Sequence, residues 1–141
     1  MAKTLIVRCM DCRLLDPVHK LLTESGQLGS CYDLALAGGE KCLTRECDEE
    51  KVAHSHIAIA IARGGVEEVI LTAHTDCAAY ASAGITFPEG PGGNEEEISF
   101  LVTELARAEK FVHEKFPEVS VTSKKIFVMH GPEVQELIEL I

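Results

Sequence analysis

The chain has 141 residues, 46% hydrophobic and 26% charged, which suits one folded domain with a real core across residues 1–141 rather than a disordered chain. Its 13 basic and 23 acidic side chains leave a net charge of -10, which argues against nucleic acid and anionic membranes as partners. No apolar run approaches the roughly 20 residues that cross a bilayer, and with no Trp and 5% aromatics a base-stacking surface is not expected.

Residues 1–7 are too short and too strand-like for a signal peptide, so the expected location is the cytoplasm. Thr4–Val7, β-branched and aliphatic, read as a buried strand. Asp16-Pro17 reads as a helix cap followed by proline at the first helical position. Val18, Leu21 and Leu22 give that helix an apolar face, and Gly26 stops it. A second strand is expected at Tyr32–Ala37, ending at Gly38-Gly39, followed by a polar loop over Glu40–Cys47. Asp48, Glu49 and Glu50 suit the positive end of a helix dipole. That helix carries Val52, Ile57 and Ile61 and stops at Gly64-Gly65, and a third strand follows at Val69–Ala73. Gly84–Gly93, with two prolines and four glycines, reads as a loop. Asn94 is then expected to cap a long helix, with Glu95–Glu97 in its first turn, that ends at Pro117. Ile126–Met129 reads as a fourth strand and the residues after Pro132 as a short helix. Strands separated by helices imply parallel pairing through right-handed crossovers. The expected fold is a three-layer α/β arrangement: a mostly parallel sheet of about four strands with helices on both faces.

Six cysteines, at positions 9, 12, 31, 42, 47 and 77, are many for this length, and in a reducing compartment they point to metal or redox chemistry. Ligands of open parallel sheets collect at the carboxyl ends of the strands. Cys9-Met10-Asp11-Cys12-Arg13 follows the first strand and His74-Thr75-Asp76-Cys77 follows the third. If those strands are neighbours, the two turns meet. Soft thiolates with an imidazole select zinc, and a Cys₂His set leaves a fourth position open. Cys9, His74 and Cys77 are therefore the expected ligands of one Zn²⁺ per chain. Arg13 can fork onto the carboxylate of Asp11 and keep it ionised and off the metal, where it would accept a hydrogen bond from water on the zinc.

These motifs resemble those of the β-class carbonic anhydrases, Cys-x-Asp-x-Arg followed far downstream by His-x-x-Cys. The family's Ala-Gly-Gly after the second strand is matched by Ala37-Gly38-Gly39, and its His-Gly after the last core strand by His130-Gly131. The resemblance spans roughly residues 4–131. It implies hydration of carbon dioxide to bicarbonate by zinc-bound hydroxide, with Cys9, His74 and Cys77 as ligands, Asp11 as the acceptor that orients the hydroxide and Arg13 holding Asp11. It implies a homodimer or higher homo-oligomer. Two thiolates donate more charge than imidazoles, so the hydroxide is expected to form at higher pH than in a three-histidine site. The chain departs from the family at Cys12, where serine is usual, at Ala35-Leu36, where Arg-Asn is common, and at Ala73 and Ala78, where glycine brackets His-x-x-Cys. Almost nothing precedes the first strand, where the family carries a helical arm and a substrate-binding glutamine. Three other outcomes are left open by these differences: a non-catalytic zinc protein, an enzyme acting on carbon disulfide or carbonyl sulfide, and a thiol oxidoreductase built on Cys9-x-x-Cys12.

Cys42 and Cys47, with His54 and His56, have only a loose metal-ligand spacing and read first as a polar loop with reduced thiols. Cys31 reads as a small core or strand-edge residue. His19 and His113 read as solvated. Asp76 reads equally as an exposed residue or as a partner of the ligands.

Overall fold

The computed structural model describes residues 3–44, 48–88 and 91–140. Five strands form one sheet: β1 (Lys3–Cys9), β2 (Cys31–Leu36), β3 (Val66–His74), β4 (Ser120–His130) and β5 (Glu133–Leu140), in the order β2-β1-β3-β4-β5. The first four are parallel and β5 lies antiparallel to β4. The helices are α1 (Leu15–Glu24), α2 (Asp48–Gly64), α3 (Ala78–Ser82) and α4 (Pro91–Lys115). From β1 the chain crosses to β2 on one side, then from β2 to β3 and from β3 to β4 in the opposite sense. Right-handed crossovers therefore put α1 on one face and α2 with α4 on the other. The rings of His54 on α2 and Phe116 just past α4 lie 4.7 Å apart, so α2 and the end of α4 pack side by side. Across the sheet, Leu21 of α1 shares a groove with Phe127, Val134 and Leu137. The three-layer arrangement is as expected, with one strand more.

That strand corrects the C-terminal helix. After Gly131, at φ +58°, the chain turns back and pairs along β4 from His130↔Glu133 to Lys124↔Leu140. The outer edge of β4 would otherwise present a row of unpaired backbone groups, and pairing satisfies them.

The core strands are longer at both ends than their apolar runs. Leu5, Ile6, Val7, Val69, Leu71, Ile126 and Phe127 are almost wholly buried. Arg8 is buried among them because its guanidinium forks onto Asp33 of β2 at 2.7 and 2.9 Å. Leu101, Leu105, Ala108 and Val112 form the inner stripe of α4 as their spacing predicts. On α2 the inner face is Ala53, Ile57 and Ala60, and Val52, expected there, is exposed.

Three helix boundaries differ from expectation. A 3₁₀ turn, Cys12–Leu14, runs straight into α1, so Asp16 lies inside the first turn and Leu14 occupies the cap position. Pro17 is then the third helical residue, where its missing N–H is still no loss. Helix α4 opens at Pro91, so Asn94 and Glu95–Glu97 lie within it, and the expected loop is shorter. Proline is well suited to a first helical position. The segment expected as a polar loop is a second 3₁₀ turn, Gly39–Leu43, with Glu40, Cys42 and Leu43 buried. The end of that predicted loop, with Cys47, lies outside the described residues.

Candidate metal centre

Adjacent strands β1 and β3 end side by side, and their last residues are the cluster's first two members. Cys9 closes β1 and His74 closes β3. A short turn then carries Cys77 to the start of α3. Asp76 makes that turn possible by adopting φ +57°, a conformation that costs a non-glycine residue about 1 kcal/mol or more. The Sγ atoms of Cys9 and Cys77 are 3.9 Å apart, and one ligand atom from each of Cys9, His74 and Cys77 lies within 4.8 Å of the others. All three residues are buried. Among the described residues no other His, Cys, Asp and Glu side chains converge in this way.

The imidazole is oriented from behind. His74 Nδ1 lies 2.7 Å from the Thr75 carbonyl oxygen, which only accepts, so Nδ1 carries the proton and Nε2 presents a lone pair to the cluster. Thr75 is fixed in turn by Met129 N–H, which donates to its Oγ1 at 2.8 Å. Nε2 itself is buried without a hydrogen-bond partner. Leaving such an acceptor unsatisfied costs about 1–3 kcal/mol, and a cation held jointly with two sulfurs satisfies it. Soft donors, buried and closely set, fit a zinc-type ion.

The sulfurs share a proton unevenly. The Cys9 thiol is pulled well below its ordinary pKa, chiefly by the hydrogen bond from Cys77, while burial opposes this and the Gly38 N–H assists. Cys77 is driven up by its hydrogen bond to Cys9, then by burial and by the neighbouring Cys9 charge. Gly38 N–H donates to Cys9 Sγ at 3.3 Å.

Asp11 and Arg13 lie beside the cluster. Arg13 Nε and Nη2 donate to the two carboxylate oxygens of Asp11 at 3.0 and 2.7 Å. Nη1 donates to Asp76 Oδ2 at 3.0 Å and to the Gly131 carbonyl at 2.9 Å. One guanidinium thus ties the ends of β1 and β3 to the β4–β5 turn. The pairing with Arg13 holds the Asp11 carboxyl down at about 2, against the opposing effect of burial. Asp11 Oδ2 is 3.9 Å from His74 Nε2, so its anionic edge faces the same space as the imidazole lone pair. A cleft of about 860 Å³ opens beside Cys77, with Tyr80, Ile85, Phe87 and Met129 supplying apolar wall and His130 and Gln135 at the rim.

Several residues fall elsewhere. Cys12 is exposed and Cys31 half-buried. Cys42 is buried and donates to the Ala37 carbonyl at 3.4 Å. His19, His54, His56 and His113 are exposed; His54 packs on Phe116, and His56 lines a separate cleft with Tyr32 and Arg63. Asp76 is exposed, its side chain 78% so, and it pairs with Arg13 rather than with Cys9, His74 or Cys77. Sequence reasoning missed three groups. Glu97, read as a dipole-favoured acid, accepts the Asp76 N–H at 2.8 Å. Glu40 and Tyr80 are buried and hydrogen-bonded to each other at 2.5 Å. The signals were a carboxyl following Gly38-Gly39 and an aromatic three residues after a ligand.

A family model described as "Putative carbonic anhydrase" matches residues 1–137. An uncharacterised protein of Rickettsia bellii is 28% identical over 122 residues, covering 85% of this chain and 73% of that protein. One of Rickettsia conorii is 25% identical over 122 residues, covering 85% of this chain and 64% of its own length. Among solved structures, a tetrameric β-carbonic anhydrase of Sordaria macrospora superposes with a TM-score of 0.55 at 16% identity, covering 99% of this chain and 80% of that one. The β-carbonic anhydrase CafA of Aspergillus fumigatus gives 0.51 at 17% identity, covering 99% and 75%. The β-carbonic anhydrase CcaA gives 0.56 at 16%, covering 99% and 78%. The matched residues take in the turns that carry Cys9, Arg13, His74 and Cys77, and the chain belongs to the "Putative carbonic anhydrase" family, as a divergent member with the β-carbonic anhydrase fold.

Proposed function

We propose that this protein is a zinc-dependent enzyme that interconverts carbon dioxide and bicarbonate. The observation that supports it most is the buried convergence of Cys9, His74 and Cys77, with His74 Nε2 lacking any partner. When bound, zinc supplies the Lewis acidity that turns water into a nucleophile near neutral pH. The rest is the work of the chain. Cys9 and Cys77 as thiolates and His74 as a neutral imidazole would hold the ion. Asp11, kept ionised by Arg13, accepts a proton-bearing oxygen's hydrogen bond at Oδ2 and so orients that oxygen's lone pair toward the substrate. Ile85, Phe87 and Met129 offer a small apolar molecule a surface that binds water weakly.

The thiol oxidoreductase reading is less well supported, because Cys9 is buried against Cys77 whereas Cys12 is exposed. We propose further that residues 1–141 form one domain, that the protein works in the cytoplasm, and that it forms a homo-oligomer. Among the described residues no helix is long and apolar enough to cross a membrane. The Sordaria macrospora relative is a tetramer.

Stopped-flow carbon dioxide hydration by the zinc-loaded protein tests the reading. Turnover well above a Cys9→Ser control is expected. Turnover no greater than that control, from neutral to mildly alkaline pH, would overturn it. Carbon disulfide and carbonyl sulfide, run in parallel, identify an altered substrate.

A further inference from the structure

The Gly38-Gly39 turn leans unusually hard on the end of β1. A Cβ built on Gly39 would lie 2.6 Å from the Arg8 carbonyl carbon and 2.7 Å from the Cys9 nitrogen. Both glycines have positive φ, +90° and +56°. This backbone shape is what carries the Gly38 N–H to 3.3 Å from Cys9 Sγ. What keeps the turn there is the residue after it. Glu40 opens the Gly39–Leu43 3₁₀ turn and points inward, 1% exposed. Its Oε1 accepts a hydrogen bond from the Tyr80 hydroxyl. Tyr80 belongs to α3, whose N-terminal flanking residue is Cys77, and its ring is held edge-on against Phe100 of α4, with centroids 5.2 Å apart.

We propose that the Tyr80–Glu40 hydrogen bond is a positioning link between the two thiolate ligands. It braces the turn that donates to Cys9 against the helix that carries Cys77, and thereby sets both the spacing of the sulfurs and the strength of the Gly38 N–H···Sγ bond. A hydrogen bond to a ligating sulfur withdraws charge from it, and outer contacts of this kind typically change metal affinity about 10- to 100-fold. The alternative is that Glu40 and Tyr80 only fill space. A buried carboxyl is a poor filler, since it costs free energy that an apolar side chain does not. Its presence beside the cluster is accounted for by a positioning role. The inference rests on the proposed metal site and deepens it.

Cobalt(II) is the probe, because its sulfur-to-metal charge-transfer bands report the Cys9 and Cys77 bonds directly. Affinity is measured by competition with a chromogenic chelator for wild type, Tyr80→Phe, Glu40→Leu and Glu40→Gln, together with the absorption spectrum of each loaded protein. Tyr80→Phe and Glu40→Leu are expected to weaken cobalt binding at least about tenfold and to shift the charge-transfer bands. Glu40→Gln keeps an acceptor for Tyr80 and should stay within about threefold of wild type, with unshifted bands. Thermal unfolding of the metal-free Glu40→Leu protein should be unchanged or raised, which a space-filling or folding role would not give. Wild-type affinity and spectrum in Tyr80→Phe would overturn the inference and leave the metal site standing. Failure of both Tyr80→Phe and Glu40→Leu to fold would make the pair a folding element and also overturn it. If wild type itself bound no cobalt, the metal reading would fall, and this inference with it.

Discussion

Arg13 is the residue that fixes Asp11 beside the cluster. Its planar fork satisfies Asp11 with two donors while a third nitrogen reaches Asp76 and Gly131, so no shorter or single-pointed cation replaces it. Arg13→Lys should therefore lower carbon dioxide hydration about 100-fold with zinc content unchanged, the loss falling in kcat. Asp11→Asn, which keeps the shape but removes the anionic acceptor, should lose about 10²- to 10⁴-fold. Metal analysis beside stopped-flow rates separates these losses from loss of the ion. Glu40 yields a different kind of prediction. Burial pushes its carboxyl up to about 8 from the ordinary 4.5, with the Tyr80 bond opposing and the nearby Cys9 and Glu104 charges adding. Between those two values the folded metal-free protein keeps a proton that the unfolded chain has released. Its stability therefore falls as pH rises from about 4.5 to about 8. Glu40→Gln removes this component. Urea unfolding of the metal-free proteins at pH 5 and pH 8 should show wild type losing ground to the variant at the higher pH, and parallel pH slopes would refute it.

At the scale of elements, the glycine turns separate a merely unusual backbone from one that builds the cluster. Gly26 and Gly39 both have positive φ, but a Cβ at Gly26 meets nothing within 4 Å, while at Gly39 it meets the backbone of β1. Gly26→Ala should cost about 1–2 kcal/mol, or roughly 3–6 °C of melting temperature. Gly39→Ala should cost that plus an overpacking penalty of about 1–3 kcal/mol, and should displace Cys9 enough to weaken metal binding. Calorimetry and cobalt titration on the two variants check the contrast. The same elements show what can be read from a sequence. The meeting of the turns that carry Cys9, His74 and Cys77 was legible because β1 and β3 are buried apolar runs, and parallel neighbours must end together. Strand β5 was not legible. Val134, Leu137 and Ile138 fit helical spacing, whereas Val134, Ile138 and Leu140 fit alternation. Only the unpaired edge of β4 decides between them, by offering partners that local pattern does not record. Glu40 was hidden for a related reason. A carboxyl between two glycines and a lysine reads as solvent-facing until Tyr80, 40 residues away in sequence, is known to meet it.

For the molecule as a whole, the cluster joins pieces that the chain order keeps apart. Cys9 and Cys77 are 68 residues apart, and the Arg13 clamp reaches across 118 residues to Gly131. An ion held by Cys9, His74 and Cys77, as proposed, would cross-link the ends of β1 and β3 in the folded state, with no comparable site in the unfolded chain. Ligand binding to the native state alone stabilises it by RT ln(1 + [L]/Kd), about 4 kcal/mol at a free ion concentration 1,000 times Kd. At roughly 2–4 °C per kcal/mol for a chain near this size, stripping the metal should lower the melting temperature by about 8–16 °C. Removal also leaves two adjacent buried sulfurs sharing a proton and His74 Nε2 without a partner, so the loss should be greatest at alkaline pH, where the second thiol is pressed to ionise beside the first. Calorimetry with and without a zinc-selective chelator measures this. Cys9→Ser, with the cross-link already gone, should melt at one temperature in both conditions. A wild-type melting temperature indifferent to chelator would mean that the strand ends are held by Arg13 and the sheet alone.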